Sequence, residues 1–248
     1  MIILSIFFFI TAIIYSSVGF GGGSTYLALL LIWDIPYYIF PVIALSCNII
    51  VVTGNSINYV RSGNHNFKLL LPFLIGSIPL AFLGGSLTIN KEIFEILLFL
   101  VLSIAGMLLL IGNKSYEDEN IKINKLHLLV SLLIGSLLGL ISGIVGIGGG
   151  IFLSPLLFLL KADKPKNIIT TASLFILINS ISGLLGQLTK ENILNEILLY
   201  WPLFLSVFIG GLLGNFLSLK IFSNRLLALS TSLLVIFVAI RMGLKVFI

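Results

Sequence analysis

The stretch SSVGFGGGS, residues 16–24, returns as SGIVGIGGGI at residues 142–151. Val18 pairs with Val145 and Gly19 with Gly146, and Gly21, Gly22 and Gly23 fall on Gly148, Gly149 and Gly150, each 127 positions on. Both copies lie inside apolar runs. Consecutive glycines oppose helix, because glycine gives up more backbone freedom on ordering than any other residue. In hydrocarbon, the N–H and C=O groups unwound there must be satisfied by protein, water or ligand. The expectation is two similar halves, each holding an apolar segment broken at depth.

The likeness extends outward. Ser46 falls on Ser173 at the same offset of 127, and PFLIGSIPLAFLGG at 72–85 resembles PLFLSVFIGGLLGN at 202–215. The second match sets Pro72 on Pro202 and Gly84 on Gly214 at an offset of 130, so one three-residue insertion reconciles the two. Apolar segments run over 2–18, 24–33, 37–60, 69–89 and 93–112, then 126–145, 151–160, 167–188, 197–219 and 226–244. This divides the chain into a first membrane repeat (1–112), a polar central loop (113–125) and a second membrane repeat (126–248). Duplicated halves with matching glycine-broken segments point to a secondary transporter and to its binding site.

Composition excludes other classes. Of 248 residues, 58% are hydrophobic and only 9% charged, far below the quarter usual in soluble domains. The apolar runs leave no length for a soluble catalytic domain. With no HExxH, GxSxG or P-loop pattern, no enzyme is expected: there are no catalytic residues and no cofactor to name. Cys47 is the single cysteine, and His65 and His127 sit at segment edges, so no metal site is expected either. The net charge of +5 is scattered through short loops, which is the mark of membrane topology and not of a nucleic-acid partner. Residues 1–17 lack a basic leader and read as a retained helix. No Asp, Glu, Lys or Arg stands in the middle of a span, so no buried carboxylate relay is visible.

Length favours hairpins. Residues 2–33 would make a helix of roughly 48 Å, too long for one crossing and too short for two. A re-entrant hairpin fits: one arm descends, the glycines turn at depth, and a ten-residue arm of about 15 Å returns. Loop charge agrees. With two hairpins, loops 61–68, 113–125, 161–166 and 219–225 share one side and carry ten Lys or Arg against four opposite. Single spans instead give eight against six. The hairpin arrangement makes the halves inverted repeats, with the basic loops cytoplasmic and both termini outside.

Free N–H groups at a turn that opens a helix form an anion site without any basic side chain. Gly21, Gly22, Gly23, Gly148, Gly149 and Gly150 are the candidates, with Ser24 and Thr25 adding hydroxyls to the first copy. The second copy has Ile151 and Phe152 there, so the two half-sites differ chemically. Ser46, Asn48, Thr171 and Ser173 follow the turns and complete the substrate-binding candidates; Asn179 is another polar group costly to bury. Small residues four apart also let membrane helices pack closely, which is the reading for Gly135, Gly139 and Gly143.

VGFGGGS, repeated as VGIGGGIFLSP, resembles the TauE/SafE family of sulfite exporters, also called the 4-toluene sulfonate uptake permease family. The resemblance covers nearly the whole chain, including GSIPLAFLGG and FIGGLLGN. It implies an all-α polytopic protein of the bacterial plasma membrane that exports sulfite or organosulfonates by alternating access. The implied partners are a small anion, the lipid bilayer and, as an open option, a second copy of the chain. A different solute, such as thiosulfate or a carboxylate, or a non-transporting membrane scaffold, are the alternatives. One departure is that Pro155 of the second copy answers to Ala28 in the first, so the first return arm is expected to start or bend differently.

Overall fold

The computed structural model describes residues 1–111, 123–124, 126–190 and 196–217, with two further helical positions at 236 and 240. The described part is helical: α1 (Ile2–Val18), α2 (Gly23–Ile32), α3 (Phe40–Arg61), α4 (Phe67–Ser86), α5 (Lys91–Ile111), α6 (Leu128–Val145), α7 (Gly150–Leu159), α8 (Pro165–Gln187) and α9 (Trp201–Leu217). Most of the expected central loop and of the last apolar segment, 226–244, lies outside the described residues. Among the described residues, five helices are long and apolar enough to cross a membrane, and the helices at the glycine breaks are shorter. The chain is an all-α, multi-pass membrane protein.

Local chemistry sets the boundaries. α1 stops at Gly19, whose left-handed φ of 87° lets its N–H reach Ser16 O while the Phe20 N–H reaches Tyr15 O. That is the glycine C-cap in which a residue without Cβ satisfies the last carbonyls. α6 stops the same way at Gly146, with φ of 91°. Pro41 and Pro165 sit in the first turns of α3 and α8, where a missing N–H costs nothing. Asn66 caps α4 by accepting from the Leu69 N–H at 3.2 Å.

Of the five membrane-length helices, α3 and α8 are the most enclosed, and they carry the buried Asn48, Asn55, Ser56, Thr170, Thr171, Ser173, Asn179 and Ser180. The other spans turn apolar faces outward, with Leu71 and Ile75 on α4, Leu133 and Leu137 on α6, and Leu212 and Phe216 on α9. Such a belt suits hydrocarbon, where water cannot supply missing backbone partners.

Small residues hold the bundle together. A Cβ on Gly135, Gly139 or Gly143 would run into the backbone carbonyls of Phe73, Ser77 and Ala81 in turn. Both numbers rise together, so α4 and α6 run parallel. Gly210 and Gly214 lie likewise on Phe9 O and Ile13 O, so α1 and α9 run parallel. Gly84 meets Leu140 O as Gly214 meets Ile13 O, and the residues of these two contacts correspond between the halves at offsets of 130 and 127. Each half thus lends its fourth helix to the first helix of the other. Close backbone approach is what holds membrane helices together where lipid removes the hydrophobic drive.

At the centre α3 crosses α8 in the opposite direction. Ser56 bonds Ser173 at 3.2 Å, while Leu45, near the start of α3, touches Gly183, near the end of α8. α2 runs back beside α1: Tyr15 bonds Thr25, Phe8 stacks on Tyr26 at 4.7 Å, and Phe7 meets Trp33 at 5.6 Å. The end of α7 likewise returns to the approach of α6, where the Asn124 N–H donates to Lys161 O at 3.0 Å. Asn66 Nδ2 donates to Asp163 Oδ2 at 2.6 Å, tying the loop after α3 to the loop after α7. These loops form one end of the bundle, with Arg61, Lys68, Lys161, Lys164 and Lys166 near it.

Candidate functional site

The two glycine breaks meet in the middle of the molecule. α2 begins after Gly22 (φ 83°) and α7 after Gly149 (φ 76°), and Gly148 is left-handed too at 83°. A branched residue at Gly22 or Gly149 would hold a conformation that L side chains avoid by ~1–2 kcal/mol. Both return arms are ten residues long and start at corresponding positions, so Pro155 against Ala28 changes neither the start nor the length of the arm. Thr25 and Tyr26 donate their N–H groups to Gly22 O at 3.0 Å, and Phe152 and Leu153 to Gly149 O at 3.2 Å. The N–H groups of Gly23, Ser24, Gly150 and Ile151 precede the first intrahelical bonds and lack acceptors within their helices.

Asn48 of α3 joins the turns. Its Nδ2 donates to Ile147 O at 3.1 Å, across to the second turn, while its side chain lies against Gly21 and Gly23 of the first. A Cβ on Gly23 would lie 2.8 Å from Ile147 O, and one on Gly148 would lie 2.8 Å from Asn48 Nδ2. Between the turns is a cavity of about 10 Å³, bordered by Tyr15, Gly21, Gly22, Gly23, Ser24 and Ile147 among others. That is about the room of one water.

Among the described residues, buried Ser24 Oγ, Asn48 Oδ1, Ser180 Oγ, Thr171 Oγ1 and Asn179 Oδ1 have no hydrogen-bond partner. Leaving such a group unmatched costs ~1–3 kcal/mol, so a cluster of them calls for an explanation. Three of them converge on the turns: Ser24 borders the cavity, Asn48 bridges the two turns, and Ser180 Oγ lies 3.0 Å from where Gly148 would carry a Cβ.

The remaining candidates are placed differently. The Thr25 hydroxyl is bonded to the Tyr15 hydroxyl at 2.7 Å, so it stands behind Ser24 as a support. The Ser173 hydroxyl is bonded to Ser56. Ser46 is half-buried on α3, two residues and so about 200° around the helix from Asn48. Thr171 is buried one residue before Ala172, whose carbonyl faces Gly150, so it adjoins the second turn without entering the central cluster. Asn179 Nδ2 bonds back to Phe175 O at 2.9 Å, as polar residues in membrane helices commonly do.

Ser180, Tyr15 and the Ile147 carbonyl were not singled out by the sequence. Ser180 is one helical turn beyond Ile176, which packs on Gly148 and Gly150, a relation visible only once α8 is folded onto the turn. Ile176 also sharpens the asymmetry. It occupies against the second turn the place that Asn48 occupies against the first. The first turn thus meets Ser24 and Asn48, whereas the second sets the apolar Ile151 and Ile176 beside Ser180 and the Asn48 amide.

Comparison with known proteins gives a consistent picture. The profile of the family described as "Sulfite exporter TauE/SafE" matches residues 4–242. The chain is 27% identical to "Probable membrane transporter protein y4hK" of Sinorhizobium fredii over 93% of each chain. A probable membrane transporter protein of Methanocaldococcus jannaschii is 30% identical, covering 74% of this chain and 71% of its own length. "Probable membrane transporter protein YunE" of Bacillus subtilis is 23% identical over 77% of this chain and 80% of the relative. No solved structure matches significantly. With glycine breaks at corresponding positions of both halves and a family match over nearly its full length, the chain belongs to the TauE/SafE sulfite exporter family of membrane transporters.

Proposed function

We propose that the chain is a permease for small anions, with sulfite and organosulfonates as the leading cargo, and that the anion is held between the two glycine turns. One observation carries this reading: the buried, unmatched hydroxyls of Ser24 and Ser180 lie at the glycine turns that Asn48 Nδ2 bridges, where two helix N-termini begin. Helix N-termini and free N–H groups favour negative charge, and a site of neutral donors binds weakly enough to release its cargo. Sulfite has three oxygens to take these donors, and an organosulfonate adds an apolar tail for Ile151 and Ile176.

The opposite directions of α3 and α8, and the return of α2 along α1, support reading the halves as inverted repeats with re-entrant hairpins. Alternating access then means rocking one half against the other, which opens the Asn48–Ile147 bond and widens the one-water gap between the turns to admit an oxyanion. Counterflow into proteoliposomes with sulfite, thiosulfate, methanesulfonate and acetate tests the proposal. Accumulation of the sulfur oxyanions supports it. Acetate alone moves the cargo to carboxylates, and no flux of any anion by correctly folded protein overturns it in favour of a scaffold.

A further inference from the structure

At the end of the bundle opposite the lysine-rich loops lies a second cavity, of about 120 Å³. It has room for several waters or one small oxyanion. Pro41 and Ile144 form part of its lining. Pro41 also lies directly against Gly146, the residue that opens the second glycine turn, with its carbonyl 3.1 Å from where a Cβ would stand. The cavity thus ends on the outer side of that turn. Among the described residues, Lys190 is the one charged residue of the lining.

The ammonium is held in place. Gln187 is fully buried, and its Nε2 donates to Gly143 O of α6 at 2.8 Å. Its Oε1 accepts from Lys190 Nζ at 2.8 Å. Glu196, a described carboxylate at this end, accepts from the Tyr38 hydroxyl at 2.7 Å. Burial pushes the Lys190 pKa down from 10.5 to about 8. The charge persists at neutral pH at a cost that an arriving anion relieves.

We propose that this cavity is an anion-capture vestibule, in which Lys190, anchored by Gln187, receives a small oxyanion on its path to or from the second glycine turn. Its role in transport rests on the permease reading. Among the described residues, nothing in the central site supplies a full positive charge, so the vestibule gives the pathway an attraction that the neutral turns lack. Keeping the cation at the mouth, away from the turns, avoids trapping the anion at the centre.

Thr88, exposed on the lining, offers the reporter. Thr88→Cys is placed in a Cys47→Ala background, and the purified full chain is modified in detergent with an anionic sulfonate thiol reagent or a cationic ammonium one. With Lys190 present, the anionic reagent should be favoured, and added methanesulfonate should slow it. Lys190→Gln should slow the anionic reagent about fivefold, the factor one unit charge at ~4 Å produces even in bulk water, and so lower the preference. Lys190→Arg should keep it. An unchanged preference in Lys190→Gln overturns the vestibule. Counterflow by the same proteins separates the two claims. Charge preference without flux of any sulfur oxyanion refutes the permease reading and the vestibule's role in it, whereas flux without charge preference refutes the vestibule alone.

Discussion

Replacing Asn48 by leucine, a side chain of similar shape, separates binding from bracing. In the folded protein the substitution removes the 3.1 Å bond from Nδ2 to Ile147 O and leaves that carbonyl without its partner. An orphaned buried acceptor costs ~1–3 kcal/mol, so the thermal midpoint in detergent should fall by several degrees. If Asn48 also donates to the bound anion, a hydrogen bond to a charged group is lost, worth ~1.5–3 kcal/mol, or roughly ten- to over a hundredfold in affinity. Ser56→Ala is the control. It breaks the 3.2 Å Ser56–Ser173 bond on the same α3–α8 seam, away from the turns. That loss is worth ~0.5–1.5 kcal/mol of stability and should leave affinity unchanged. The assay pairs thermal unfolding with the half-saturation concentration for sulfite counterflow. Should Asn48→Leu lower stability yet keep affinity within twofold of the parent, Asn48 is an internal brace and the site lies elsewhere.

Gly22→Ala and Gly149→Ala should both abolish counterflow, since each adds a Cβ at a left-handed residue, 3.2 Å from the Tyr26 ring and 2.8 Å from Phe175 respectively. Gly139→Ala should fail earlier, as poor recovery of folded protein, because its Cβ would lie 2.6 Å from Ser77 Cα; normal yield and flux would contradict the packing described for α4 and α6. For topology, single cysteines at Ser62 and Lys161, both exposed, should label from the same, cytoplasmic side, and one at Thr88 from the opposite side. Labelling of Ser62 and Lys161 from opposite faces would break the hairpin arrangement.

Much of this architecture was written in the sequence because glycine repeats are a backbone signal. The SSVGFGGGS and SGIVGIGGGI stretches place both helix breaks within one residue, since positive φ at Gly22 and Gly149 is a local demand that few other residues meet. The polar positions were less legible. Thr25 and Ser173 read as donors for a ligand, but Tyr15 and Ser56, distant in sequence, hold their hydroxyls. Ser180 joins the turns only because α8 packs on Gly148, which no local pattern announces. Gly139 reads as a packing residue from its spacing, but spacing does not say how much room a Cβ would have. The lack of space appears only once Ser77 is seen beneath it. Asp163, an ordinary loop residue by sequence, is buried and bonded to both Asn66 and Asn167 because three loops converge there.

Locating an oxyanion heavy enough to be seen tests the central claim most directly. Selenite carries the same pyramidal set of three oxygens as sulfite, and selenium scatters anomalously. In crystals of the full chain grown with selenite, the account predicts an anomalous peak between the two glycine turns. Its oxygens should lie ~2.7–3.2 Å from the N–H groups of Gly23 and Ser24 or of Gly150 and Ile151, with Asn48 alongside. A selenium peak only outside the turns, in a protein that moves sulfite, would contradict it.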